Sequence, residues 1–119
     1  MVRNLNQLKK ALTVGAKIEV VKQFFHPIHE GEIREVTKVQ TNAIYMKPIR
    51  RVDGPLDEAG EKLAQANGGV GSYMPFGKSE CWVFNEDGTI YYRDFFDTYE
   101  NGEKIRKESP IAVYRLVEG

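Results

Sequence analysis

Residues Gly31 to Met46, GEIREVTKVQTNAIYM, constrain the fold more than any other stretch of this 119-residue chain. Between Glu32 and Gln40 the β-branched residues Ile33, Val36, Thr37 and Val39 dominate. Stiff side chains of that kind suit a pleated surface better than a helix. Thr41-Asn42 follows as a polar pair, and Asn tolerates the positive φ that tight hairpin turns demand. Ala43-Ile44-Tyr45-Met46 then resumes an apolar run until Pro48, which lacks a ladder donor and closes the strand. Ile33, Val36 and Val39 are spaced by three, a helical interval. A β-bulge between Ile33 and Val36 restores strand register. The stretch is expected to form two antiparallel strands, with Arg34, Lys38 and Gln40 on the solvent face.

The chain around this hairpin reads as further short elements. Leu5, Leu8 and Leu12 form one stripe of a short helix that Asn4 can cap, with Gln7 in the capping-box position. Lys17 to Phe25 is a strand, followed by a loop at His26-Pro27-Ile28-His29-Glu30-Gly31. Leu56, Ala59, Leu63 and Ala66 recur at helical spacing, weakened by Gly60 and ended at Asn67-Gly68-Gly69. Val70 to Ser79 is either an ordered connection or a mobile lid. Glu80 to Glu86 reads as a strand apolar on both faces, and so central. Asp87-Gly88 signals a type I′ turn into a return strand, Thr89 to Phe95. Asn101-Gly102 marks another turn between Phe95–Tyr99 and Lys104–Arg106, and Ile111 to Val117 is a final strand. The expected fold is mainly β (α+β): one domain over residues 1–119, holding a small antiparallel sheet or partly open barrel with two short helices.

Seventeen basic residues balance seventeen acidic ones, so net charge provides no electrostatic footprint for nucleic acid or anionic lipid. The single cysteine, Cys81, excludes an intrachain disulfide, and its neighbours Trp82 and Val83 mark it as a small buried residue. The N-terminal residues lack the long apolar segment of a signal peptide, and no run reaches the length of a membrane span. The cytoplasm is the expected location, and no membrane contact is expected.

Catalytic chemistry finds little support. Gly77-Lys78-Ser79 has the tail of a phosphate-binding loop, but Gly71 lies one residue too far upstream and strand rather than helix follows. His26, His29 and Glu30 have the residue types of a metal site, without a fourth ligand, so no metal or other cofactor is expected. Asp57 and Glu61, four apart, read as a solvated helix face. No nucleophile elbow is present, so the chain is read as non-enzymatic.

The opening pattern Gly15-x-x-Ile18-x-Val20, Gly31-x-Ile33-x-x-Val36-x-x-Val39 and Ile44-Tyr45 resembles the start of an SH3-like barrel. Leu8-Lys9-Lys10-Ala11-Leu12, Val39 to Tyr45, and Phe76-Gly77-Lys78 through Trp82 resemble small uncharacterised proteins of Gram-positive phages and conjugative elements. That resemblance implies a mobile-element habitat, where modulating or inhibiting a host enzyme such as a defence nuclease is a natural role.

Aromatic residues are the most informative composition. Six phenylalanines, six tyrosines and one tryptophan crowd toward Tyr73 to Tyr99, and the adjacent pairs Tyr91-Tyr92 and Phe95-Phe96 must point to opposite strand faces. Tyr73, Tyr91, Tyr92, Phe96 and Tyr99 are therefore the candidate protein-contact residues, for an unidentified partner or for a homodimer. The alternative is a nucleic-acid-binding barrel that uses Lys47, Arg50 and Arg51 together with Lys104, Arg106 and Lys107.

Overall fold

The computed structural model describes residues 1–118. Helix α1 (Leu5–Ala11) starts where Asn4 Oδ1 accepts from the Gln7 amide, and Gln7 Oε1 accepts in turn from the Arg3 amide. Strands β1 (Lys17–Gln23), β2 (Glu32–Val39), β3 (Ala43–Arg51) and β4 (Ser72–Pro75) form one antiparallel meander, with helix α2 (Glu58–Ala64) between β3 and β4. A second meander comprises β5 (Trp82–Phe84), β6 (Thr89–Glu100) and β7 (Glu103–Val117). Pairing of β1 with β7 joins the two into a seven-stranded sheet of order β4-β3-β2-β1-β7-β6-β5.

That order forces the sheet to curl. Strands β4 and β5 lie at opposite edges, yet only residues 76–81 connect them. Seven peptide steps from Pro75 to Trp82 span at most ~25 Å. A flat sheet would hold its outer strands ~29 Å apart, six spacings of ~4.8 Å. The edges therefore bend toward each other, and Trp82 Nε1 donates to the Phe76 carbonyl at 2.6 Å. No ladder joins β4 to β5, so the sheet is curled without closing into a barrel.

The core fills the concave side. Directly paired residues share a face, so Val36 and Met46, Val20 and Tyr114, Ile90 and Tyr114, and Trp82 and Tyr92 all point inward. Leu8 of α1, Leu12 at its C-cap and Phe76 of the edge-to-edge connection complete this cluster. Trp82 stacks on Tyr92 with centroids 4.3 Å apart and lies 6.4 Å from both Phe76 and Tyr114. Where β4 begins, Gly71 has φ +89°, and a Cβ there would lie 2.0 Å from the Met46 carbonyl oxygen. Only glycine fits.

Several expectations are corrected. Strand β5 is an edge strand, not a central one; Trp82 is buried because the curl lays Phe76 over it. Cys81 is buried but lies in a short 3₁₀ turn, Ser79–Cys81. The bulge of β2 falls at Thr37, between Val36 and Lys38, while the irregularity at Ile33/Arg34 puts its extra residue on β3. Asn42 has no positive φ, and at Asp87-Gly88 only Gly88 does, so neither turn is type I′. That geometry occurs instead at Asn101 (φ 51°) and Gly102 (φ 78°). Residues 89–95 and 95–99 prove to be one strand, as do 104–106 and 111–117. The segment after α2 is ordered in part as β4. Gly60 is buried rather than merely tolerated, because a Cβ there would come 2.9 Å from Leu56 Cδ2 and 3.2 Å from Glu32 Oε2.

Candidate functional site

Two regions carry side chains that the core does not explain. The first is an arm. Pairing of β1 with β7 ends at Gln23–Ala112, and pairing of β5 with β6 ends at Trp82–Tyr92. Strands β6 and β7 continue alone to Glu100–Glu103, so residues 93–110 form a two-stranded ribbon with no third strand. Eight residues of strand reach ~27 Å, and the molecule is correspondingly elongated, 50 × 30 × 28 Å. Pro110 sits where the arm leaves the sheet, at a bulge, a place where a missing ladder donor is tolerated.

A lone two-stranded ribbon is marginal in water, and this one is braced by its side chains. Phe95 lies under two guanidinium groups, with Arg106 4.0 Å and Arg93 4.9 Å from its centroid. Arg106 donates to Glu80 at 2.5 Å, and Arg93 donates from Nε and Nη2 to the Glu80 carbonyl and from Nη1 to Glu108 at 2.6 Å. The Arg106 hydrogen bond holds the Glu80 carboxyl below the usual glutamate range. Farther out, Lys104 pairs with Asp97 at 3.3 Å and Lys107 with Glu100 at 3.0 Å. Phe96, by alternation, points the other way from Phe95 and is 50% exposed; Tyr99, near the tip, is 71% exposed. Phe96 borders a groove of about 470 Å³ that is also lined by Phe25, itself 64% exposed.

The second region is the polar half of the concave face. Glu32 is fully buried, and its Oε1 accepts from Arg34 Nε at 3.2 Å and Nη2 at 3.0 Å. Its Oε2 lies 2.7 Å from His29 Nδ1. Arg34 is 3% exposed, which corrects its expected place on the solvent face. It pairs with Ile18 on one side and Pro48 on the other, both core-facing, so its side chain enters the concavity. A cavity of about 510 Å³ opens there, bordered by Arg34, Gln23, Tyr92, Asp94, Tyr114 and Met74 among others. Burial raises the phenol of Tyr114, and burial together with nearby Cys81 pushes that of Tyr92 up to about 12.

The candidate contact residues do not form one surface. Tyr92 is buried at the core and cannot meet a partner, because its stacking on Trp82 turns it inward. Tyr91 lies on the convex face against Phe24, centroids 6.4 Å apart, with partial burial and then Glu108 raising its phenol. Tyr73 sits on edge strand β4 against Tyr45. Phe96 and Tyr99 share the arm. Helix α2 packs on β3 and leaves the aromatic hairpin uncovered.

The two basic groups are also apart, and they differ: the arm cations are all ion-paired, whereas in the other group the ion pairs belong to Arg51. Lys104, Arg106 and Lys107 are each ion-paired on the arm. Arg51 donates to the Glu30 carbonyl, Asp53 and Asp57, and Lys47 lies opposite Glu35, leaving Arg50 exposed. Asp57 caps α2 by accepting from the Gly60 amide, a structural use of one of the two paired acids. His26, His29 and Glu30 do not assemble as ligands: His29 meets Glu32, while Glu30 accepts from the Gln23 amide. Among the described residues no three His, Cys, Asp or Glu side chains are grouped to hold a metal ion. No helix among them is long and apolar enough to cross a membrane. Sequence reasoning missed Phe25; its only signal was a second ring beside Phe24 just before the His26-Pro27 turn.

No family model, curated protein or solved structure matches the chain.

Proposed function

We propose that this protein is a non-enzymatic binding module that works by protein contact, using the aromatic flank of its arm. One observation carries the reading: Phe96, half exposed on a ribbon projecting from the sheet, borders one groove together with exposed Phe25. Solvent-exposed rings around a concave feature are the composition of contact hot spots rather than of ordinary surface. Tyr99 extends the same element toward its tip. In the mobile-element setting implied by the sequence resemblance, the partner is a host enzyme, such as a defence nuclease, whose activity the bound protein modulates.

A two-stranded ribbon also has the width to enter a DNA major groove, which keeps a nucleic-acid reading in view. Charge argues against it. Arg93, Lys104, Arg106 and Lys107 share the arm with Asp94, Asp97, Glu100, Glu103 and Glu108. Phosphate binding would require breaking those pairs.

Affinity capture from a bacterial lysate, run in parallel with Phe96→Ser/Tyr99→Ser and Tyr91→Ser proteins, tests the reading. The expected outcome is a stoichiometric partner that is lost with the arm variant and kept with Tyr91→Ser. Absence of any such partner, together with DNA or RNA binding that falls steeply with salt, would replace protein contact with the nucleic-acid reading.

A further inference from the structure

We propose that the concave cavity binds a neutral, planar ring bearing N–H donors beside a carbonyl acceptor, the chemistry of a nucleobase presented as a nucleoside. The site is built from four strands. Register turns Arg34 of β2, Gln23 of β1, Tyr114 of β7 and Asp94 of β6 to the same side of the sheet. All four border one cavity, whose volume of about 510 Å³ lies within the ~300–1,000 Å³ usual for small-molecule sites.

The polar groups specify the ligand. Arg34 uses Nε and Nη2 on Glu32, and among the described residues nothing accepts from its Nη1, which leaves a fixed donor for a carbonyl oxygen. Gln23 Oε1 is shielded from solvent and has no hydrogen-bond partner, an acceptor that calls for an N–H. Asp94, two residues beyond Tyr92 on the same strand face, accepts from the Phe95 amide with Oδ1 and leaves Oδ2 as a second acceptor. One donor with two acceptors is complementary to a ring edge that carries C=O beside N–H. Guanine has such an edge, O6 beside N1–H and N2–H; uracil, with one N–H between two carbonyls, satisfies only one of the acceptors, and adenine has no carbonyl.

Charge disfavours the anionic forms. Glu32 already neutralises Arg34 and meets His29, and His26 is the other imidazole at the cavity. No lysine or second arginine among the described residues borders it, and Asp94 would repel a phosphate. The walls accept a flat ring: Tyr92 is held rigid against Trp82, and Met46 and Met74 supply polarizable, adaptable surface. Asp94 stands at the base of the arm, and it and Gln23 also border the groove beside Phe96, so the two sites adjoin while Phe96 and Tyr99 lie outside this cavity.

Trp82, stacked on Tyr92, provides the readout. Guanosine, uridine, adenosine, inorganic phosphate and indole are titrated separately into the intact protein, following tryptophan fluorescence and backbone amide shifts. The expected result is saturable binding of guanosine, at least ~10-fold weaker binding of uridine and adenosine, and none of phosphate. Gln23→Leu and Asp94→Asn should each weaken the favoured nucleoside by ~10-fold or more, the cost of a lost hydrogen bond in a site built to make it. Both variants should keep the wild-type melting temperature, and Phe96→Ser should leave nucleoside binding unchanged, which separates this outcome from that of the arm. No response to guanosine up to its solubility limit would overturn the assignment. So would indole or uridine binding as tightly as guanosine, or wild-type affinity in Gln23→Leu.

Discussion

The concave face and the arm each hold an ion pair with the same separation, 3.0 Å, in opposite surroundings. Arg34 and Glu32 are 4% and 0% exposed, whereas Lys107 and Glu100 are 48% and 54% exposed. In the concavity both charges have lost their water, so each depends on the other and on hydrogen bonds that use up the carboxylate. On the arm, water and salt screen the pair and the lysine loses rotamer freedom to form it. Distance alone therefore says nothing about consequence. The buried pair shapes an interior and fixes the orientation of Arg34; the exposed pair keeps a ribbon soluble and its cations occupied.

Removing one partner from each pair should separate the regions most sharply. Glu32→Ala leaves a buried guanidinium without its carboxylate and should cost about 3–5 kcal/mol, read from the midpoint of urea unfolding. A loss below about 1 kcal/mol would mean that the concavity is as wet as the arm.

A smaller effect should come from pH, with the two regions responding at opposite ends of the scale. Tyr92 and Tyr114 have raised phenols, so the fold favours their neutral forms. The stability this supplies is complete below the ordinary tyrosine value of ~10. It is lost as pH climbs through about 12, the value for Tyr92. Glu80 is depressed, so its contact with Arg106 is complete above the ordinary glutamate range and lost as pH falls through its lowered value. Tyrosinate absorbance assigned to Tyr92, as the difference between wild type and Tyr92→Phe, should rise together with loss of the Trp82 tertiary signal in alkali. In acid, the Arg106 side-chain resonances should shift toward those of a free guanidinium. Tyrosinate assigned to Tyr92 by that difference, forming at the ordinary pH without unfolding, would show that the core phenol is hydrated.

The smallest change is expected for Lys107→Ala, within about 1 kcal/mol of wild type by the same urea measurement. A cost of several kcal/mol would promote the arm from appendage to structural member.

How far the sequence revealed this molecule also differs between the two regions. The hairpin of β2 and β3 and the Asn4–Gln7 helix start were legible because they rest on local signals: β-branching, a polar turn pair, a cap. The inward turn of Arg34 was not, since polarity alone assigns an arginine to solvent and a one-residue slip of a bulge inverts every face. The signal that could have found it was Glu32-x-Arg34, opposite charges two apart and hence on one strand face, with His29 upstream. The arm was read in pieces because Asp94, Asp97 and Pro110 look like interruptions. Within a ribbon that has no outer neighbours, charges are solvated and a proline costs little. The site residues fared unevenly for the same reason. Phe96 and Tyr99 could be placed by alternation along one strand, whereas burial of Tyr92 depends on Trp82 reaching it from a different one.

The seam between β1 and β7 has a kinetic meaning. It pairs Lys17 with Val117, whereas the other ladders join strands that follow one another along the chain. Each meander can assemble from nearby residues, but the seam must close a loop of about 100 residues, an entropic cost met before any pairing repays it. Arg34 and Gln23 come from the first meander, Tyr92 and Asp94 from the second. The cavity is thus among the last features to form during folding, and neither meander alone would contain it.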